Sequence, residues 1–111
     1  MTSELNDLVS GVTTHLPLAK GIELRTLNAG AQLGLALQIK REALQARQVQ
    51  RVLERRFEQA LAYDGCYVFC NGDDALVLWH SLEPADGSLV KVQSRLLSLA
   101  GLEALDRVDQ R

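Results

Sequence analysis

The chain has 111 residues, of which 47% are hydrophobic and 23% are charged, and its formal net charge at pH 7 is −2. This length suits one domain and is too short for two, so we expect residues 1–111 to form a single domain. The composition is that of an ordinary globular protein and excludes disorder over the whole chain, and the acidic balance argues against a general nucleic-acid binder.

Residues 3–16 predict an amphipathic helix. Ser3 is a suitable N-cap, and Pro17 and Gly21 follow as residues that end a helix. The apolar residues of this segment recur at helical spacing: Leu5, Leu8, Val9, Val12 and Leu16.

The next segment predicts a β-hairpin with strands at about 22–27 and 31–40. Ile22 and Leu24 alternate with charged neighbours, and residues 28–30, Asn-Ala-Gly, supply a turn that can take positive φ. The second strand alternates strictly between leucine or isoleucine and small or polar residues, which indicates one apolar face.

Residues 41–62 predict the middle helix, because the hydrophobic period changes from two to that of a helix. Gln, Arg, Ala and Glu, which are common here, are good helix formers, and residues 64–65, Asp-Gly, end the segment. One stripe of this helix contains Val49, Val52, Leu53, Arg56, Phe57, Ala60 and Leu61.

The middle helix also carries a basic ridge, formed by Arg47, Arg51 and Arg55 at positions i, i+4 and i+8. Residues 40–62 contain six basic and three acidic residues, a net charge of +3, whereas the remainder contains six basic and eleven acidic residues, a net charge of −5. The ridge can contact an acidic partner or nucleic acid, or it can be an ordinary solvated helix face. We favour the solvated face for any single arginine.

Two further elements complete the chain. Residues 67–70 and 75–80 predict a second hairpin around an Asn-Gly turn. Apolar residues on both faces of its second strand indicate a central position with both sides covered, or alternatively a strand with one face that binds a partner. Pro84 then separates this hairpin from a final helix at about 86–108, in which Gly101 is a candidate break. The order helix, hairpin, helix, hairpin, helix predicts an α+β fold, an antiparallel sheet with helices packed on it.

Residues that carry chemistry are few. His15 and His80 have no neighbour in sequence that indicates a nucleophile or a metal, and residues 73–74, Asp-Asp, follow Asn-Gly as turn residues. The sequence matches no zinc spacing, phosphate-binding glycine loop or nucleophile elbow. We therefore expect no enzyme, no cofactor and no metal, although a site assembled from distant residues stays an alternative.

The aromatic residues of the second hairpin have two interpretations. Tyr67, Phe69 and Trp79 are most simply explained by packing in and beside the core. Trp79, near the end of its strand, also suits an interface anchor. Nucleic acid is not an expected partner, because these residues form no stacking platform and the rest of the chain is acidic.

The sequence predicts a cytoplasmic protein. It has no run of about 18 apolar residues that could span a membrane, and residues 1–7 lack the features of a secretory signal. Cys66 and Cys70 are roughly 13 Å apart in an extended strand, so we expect both to be reduced rather than paired.

The stretch 73–82, Asp-Asp-Ala-Leu-Val-Leu-Trp-His-Ser-Leu, with the leucine-rich helix after it, resembles the C-terminal part of small bacterial type III secretion chaperones. The similar layout covers most of the chain, and the specific motif covers about residues 65–105. Those chaperones usually have three strands before a shorter, less charged middle helix. The chain is also similar to the small Hrp-cluster regulators of plant-associated bacteria, of the HrpV type, which bind regulatory proteins that control secretion genes.

The resemblance implies a protein-binding regulator or chaperone of type III secretion that acts stoichiometrically on a regulatory protein or a chaperone-like partner. The alternative that it implies is a chaperone that carries an exported effector. It further implies a homodimer or heterodimer paired through the middle helix and an adjoining strand. On this sequence those positions are Val49, Val52, Leu53, Phe57, Val77 and Trp79, and Arg47, Arg51 and Arg55 are the charged residues that we expect beside them.

Overall fold

The computed structural model describes residue 8, residues 15–82 and residues 89–105. These contain five strands, β1 (Leu16–Ala19), β2 (Ile22–Ala29), β3 (Gln32–Ile39), β4 (Cys66–Cys70) and β5 (Leu76–Ser81), and two α-helices, α1 (Gln48–Glu58) and α2 (Leu89–Ala100). The strands form one sheet in the order β1-β2-β3-β5-β4, and every neighbouring pair is antiparallel. The predicted α+β class is therefore confirmed.

Strand β1 was not predicted. Leu16, which the helical pattern assigned to the first helix, instead begins this strand and pairs with Leu24. Pro17 is tolerated because β1 lies at an edge of the sheet and its register shifts between Pro17 and Ala19. Three strands thus precede α1 instead of two. Within the rest of the predicted helix the structure describes two residues: Leu8 is helical and buried, and His15 is exposed and not helical, while residues 3–7 and 9–14 lie outside the described residues.

The first predicted hairpin is present as β2 and β3. Its turn lies one residue later than predicted, at Gly30 and Ala31, because Asn28 and Ala29 still pair with β3. Gly30 has a φ of 64°, a conformation that glycine adopts without steric cost.

Helix α1 is shorter than the predicted helix 41–62. Arg47 has a φ of 64° in the left-handed region, so a right-handed helix cannot pass through it. Arg41–Ala43 form a separate 3-10 turn before it, and Gln59, with φ −115° and ψ 51°, ends the helix. The residues around α1 include good helix formers. The helix nevertheless ends on both sides, because the backbones of Arg47 and Gln59 are not in a right-handed helical conformation.

The second predicted hairpin is present as β4 and β5. Asn71 shapes its turn, since its Oδ1 accepts hydrogen bonds from the backbone N–H groups of Asp73 (2.9 Å) and Ala75 (3.1 Å). Strand β5 lies between β3 and β4, and its residues 76–80 are all buried. The predicted central position is confirmed.

Helix α2 is shorter than the predicted helix 86–108, of which residues 86–88 and 106–108 lie outside the described residues. It ends before Gly101, whose φ is 75°, and the Leu102 N–H donates to the Leu97 carbonyl at 2.8 Å. This is the Schellman arrangement that glycine permits at a helix C-terminus.

The main core lies on one side of the sheet, which we call the inner face. Both helices contribute to it, with Val52 from α1 and Leu96, Leu97 and Leu99 from α2, all fully buried against leucines and isoleucines of β2, β3 and β5. A second, smaller cluster of Ala36, Val77 and Trp79 contains no helix residue. Within the described ranges, no helix has the length and apolar character needed to cross a membrane.

Candidate functional site

The opposite side of the sheet, which we call the outer face, carries the most aromatic surface of the described chain. Successive side chains of a strand point to opposite faces, and the strand register places Arg25, Ala36, Trp79 and Tyr67 in one row across β2, β3, β5 and β4. The small second cluster therefore lies on the outer face, where no residue of α1 or α2 joins it.

Trp79 lies at the centre of the outer face and is held in one orientation. Its indole packs directly over Gly34, where any Cβ atom would overlap the ring. Its Nε1–H donates to the Leu27 carbonyl at 2.8 Å, and its ring centroid is 5.8 Å from that of Tyr67. The indole is only 4% exposed. It therefore offers little area of its own to a partner and instead supports the exposed residues around it.

The residues around Trp79 are the ones that face solvent. Tyr67 is 60% exposed, and Phe69 and Leu27 are also exposed although all three are large and apolar. With Trp79 and the amide side chains of Asn28 and Gln32, they line an open cavity of about 470 Å³. Exposed aromatic residues beside a fixed tryptophan are typical of protein-binding surfaces.

Helix α1 presents a second apolar surface, because some residues of its hydrophobic stripe face the core and others face solvent. Val52 is buried in the core and Val49 packs against it. Leu53 is half exposed and Phe57 is 85% exposed, and Leu61, just beyond the helix, is almost fully exposed. The apolar positions of α1 that the sequence singled out are thus partly core and partly free surface.

The three predicted arginines differ in their contacts. The Arg55 guanidinium donates to the Leu99 carbonyl at 2.6 Å and so caps the C-terminal end of α2, where a positive charge is favourable. Arg47 and Arg51 are exposed. Arg51 lines, together with Arg55 and Glu103, a polar cavity of about 230 Å³. Arg55 therefore has a structural contact that the ridge pattern did not predict.

A cluster of polar groups joins β5 and α2. The His80 Nδ1 is 2.7 Å from the Ser81 carbonyl and its Nε2 is 3.0 Å from the Arg95 guanidinium. A carbonyl only accepts and a guanidinium only donates, so Nδ1 carries the proton and Nε2 accepts. Both ring nitrogens of His80 are thus engaged, and the Nε2 contact with Arg95 joins β5 to α2.

The thiol of Cys66 lies beside this cluster. Burial raises its pKa to about 11, against the opposing effect of the Arg95 and Arg56 charges. The thiol is therefore protonated at neutral pH and is a poor nucleophile. Cys66 and Cys70 are both free, as predicted, and Cys70 is exposed. No grouping of three or more metal-ligating side chains occurs within the described ranges.

The structure does not bring all predicted partner-binding residues together. Val77 and Trp79 lie on the outer face, whereas Val52 of α1 lies in the core on the inner face. Strand β5 also has neighbours on both sides, so it offers no free edge to a partner. Partner binding by these residues and by the arginines stays a prediction.

Sequence reasoning missed Leu27, Tyr67 and Phe69 as surface residues. It explained the two aromatic residues by packing in and beside the core. Gly34, a glycine in the middle of β3, signals the close approach of another group, but nothing in the sequence indicates that Tyr67 and Phe69 stay exposed.

One comparison with known proteins gave a match: a family model described as HrpV-like matches residues 4–105. No curated protein and no solved structure matches the chain. The matched range includes every strand and both helices described above.

Proposed function

The chain belongs to the HrpV-like family, and we propose from this premise that it is a regulatory protein associated with type III secretion that works by binding another protein stoichiometrically. The proposed partner is a regulatory protein or a chaperone-like protein, and the proposed place of action is the cytoplasm. We further propose that the protein catalyses no reaction and uses neither nucleic acid nor membrane as a partner.

The observation that carries this proposal is the outer face. A sheet surface that exposes Tyr67, Phe69 and Leu27 around a buried tryptophan leaves apolar area in contact with water. Covering such area with a partner is favourable by roughly 25 cal/mol per Å² of apolar surface. The orientation of Trp79, fixed by Gly34 and the Leu27 carbonyl, keeps this surface in one shape before binding, which lowers the entropic cost of association.

The exposed side of α1 supports the same type of function. Leu53 and Phe57 form an apolar strip on a helix whose neighbouring arginines are exposed. A helix of this kind offers a partner both apolar contact and positive charge. The two surfaces lie on opposite sides of the sheet, so they can be tested independently.

The experiment is purification of the tagged full chain from its native host, with the mass of the eluted species measured by light scattering and its components identified by mass spectrometry. We expect one partner protein at a defined ratio. A Tyr67→Ser/Phe69→Ser variant should lose that partner. The matched comparison is a Leu53→Ser/Phe57→Ser variant, which removes the same type of apolar area from α1 instead of the outer face.

The outcomes separate the possibilities. Loss of the partner only in the α1 variant would move the binding site to the middle helix. A partner that is itself exported would support the effector-carrying alternative, and an activator of transcription would support the regulatory one. A chain that elutes alone as a stable monomer would contradict the proposed function.

A further inference from the structure

Among the described residues, strand β4 pairs only with β5 and forms the second edge of the sheet. Along an antiparallel edge strand, backbone groups point alternately toward the neighbouring strand and away from it. The Cys66 N–H donates to the Tyr63 carbonyl at 2.9 Å, and the Cys66 carbonyl accepts from Arg56 Nε at 2.9 Å. The backbone of Cys66 therefore points away from β5.

The same direction holds for Val68 and Cys70, because the pairing of β4 with β5 contains no irregularity. Asn71 confirms the alternation, since its N–H donates toward the β5 side, to the Ala75 carbonyl at 3.0 Å. Within the described ranges the outward N–H and carbonyl groups of Val68 and Cys70 have no hydrogen-bond partner. In the described part of the chain they form a short row of unpaired backbone groups on the edge of the sheet.

The two edges of this sheet differ. Edge strand β1 contains Pro17 and an irregular register, features that prevent a further strand from pairing. Strand β4 has the sequence Cys-Tyr-Val-Phe-Cys, with no charge, no proline and no irregularity. Proteins usually protect such an edge, because an uncharged regular strand pairs readily with another chain.

The side chains of β4 extend this edge onto the outer face. Tyr67 and Phe69 line the cavity beside Trp79. Both belong to β4, the strand that has the unpaired backbone groups. A strand added to β4 would place its residues opposite Tyr67 and Phe69 as non-hydrogen-bonded pairs, in which side chains approach most closely.

From these observations we propose that the partner supplies an extended segment that pairs with Val68 and Cys70 of β4 as a sixth strand, with apolar side chains at alternate positions packed on Tyr67 and Phe69. This proposal rests on the proposed function, because it specifies how the partner of that function binds. It identifies the partner segment by its chemistry: extended, and apolar at every second residue.

A second copy of the chain fits this edge less well. Antiparallel pairing of two β4 strands that uses both free residues centres on Phe69, which then faces its own copy. The same register places Asn71 of the copy opposite Tyr67, followed by Gly72 and Asp73. These polar turn residues do not fill an apolar cavity, whereas a partner with alternating apolar residues can cover both aromatic side chains.

The test uses Cys70→Pro, which removes the outward N–H of an exposed residue and disturbs no hydrogen bond to β5. Cys70→Ala is the matched control, since it changes the same side chain and keeps the N–H. The probe is a displayed library of random peptides of about ten residues, selected on the full chain. We expect selected peptides to alternate apolar and polar residues, to bind Cys70→Pro about tenfold more weakly or worse, and to bind Cys70→Ala as they bind the unchanged chain.

Hydrogen exchange provides a second readout, in which a selected peptide should slow exchange of the Val68 and Cys70 amides. Equal binding to Cys70→Pro and the unchanged chain, or a library with no alternating sequences, would overturn the proposal. Dimerisation of the chain alone that Cys70→Pro abolishes would assign the edge to a second copy and overturn it as well. If the host partner binds Cys70→Pro normally, only this mode of binding fails and the proposed function stands.

Discussion

At the scale of single residues, the contact between Gly34 and Trp79 determines the shape of the outer face. The two residues lie on neighbouring strands, with Gly34 opposite Ser81 and Trp79 opposite Ala36. Because Gly34 has no side chain, the indole can lie flat across β3 and reach the Leu27 carbonyl of β2. One glycine thus permits a tryptophan to span three strands.

We predict that Gly34→Ala destabilises the protein by about 1–3 kcal/mol, because the new methyl group overlaps the indole and forces it from its site. Displacement also breaks the Nε1–H bond to Leu27, so the indole should become more exposed. Trp79 is the only tryptophan, which means that urea unfolding followed by its fluorescence measures both the stability and the exposure. The emission maximum of the folded variant should shift to longer wavelength.

Gly72→Ala is the control for this prediction, since nothing lies within 4 Å of a Cβ atom at that position. It should change the free energy of unfolding by less than about 0.5 kcal/mol. Unchanged stability and emission in Gly34→Ala would mean that the indole does not rest on Gly34 in solution.

At the scale of elements, the basic ridge of α1 combines different roles along one helix. Arg55 reaches the last carbonyls of α2, Leu99 at 2.6 Å and Ser98 at 3.5 Å. Arg51 lies one turn earlier and is exposed, and its guanidinium has no hydrogen bond within the described part of the chain. The ridge is regular in sequence, but only its last member joins the two helices.

We predict that Arg55→Ala lowers the free energy of unfolding by about 1–2 kcal/mol, because it leaves the C-terminal carbonyls of α2 without their charged donor. Arg51→Ala should change it by less than about 0.5 kcal/mol. Urea unfolding of both variants, followed by circular dichroism, measures the difference. Equal losses in the two variants would show that the cap on α2 contributes nothing specific to Arg55.

These elements show where sequence reasoning succeeds. The alternation of β3 and the Asn-Gly turn between β4 and β5 are local signals, and both hairpins were predicted within a residue or two. β1 was missed because Leu16 continues a helical spacing from Val12 as well as it starts a strand, and only pairing with Leu24 decides between them. The beginning of α1 depends on the left-handed backbone of Arg47, which no residue preference indicates.

At the scale of the whole molecule, the site depends on which side of the sheet the helices cover. Period-two patterns show that a strand has two faces but not which face the helices take. Apolar residues on both faces of β5 correctly predicted its central position but could not reveal that Tyr67 and Phe69 stay uncovered beside Trp79. Exposure of that kind arises from tertiary packing and was beyond what the sequence could predict.

The charge of the molecule is also unevenly distributed, with +3 on residues 40–62 and −5 on the remainder. Such a separation attracts an acidic partner surface to α1 during encounter, and it affects the association rate more than the dissociation rate.

We predict that Arg51→Glu slows association with the partner by roughly twofold to tenfold at low ionic strength and leaves the dissociation rate nearly unchanged. The difference should disappear toward about 0.5 M salt, where charges are screened within a few ångströms. Surface plasmon resonance with the purified partner measures both rates. Lys20→Glu makes the same change of charge at an exposed position outside the basic segment, so it should have a smaller effect. Faster association of Arg51→Glu would mean that the partner presents a basic surface to α1, contrary to the prediction.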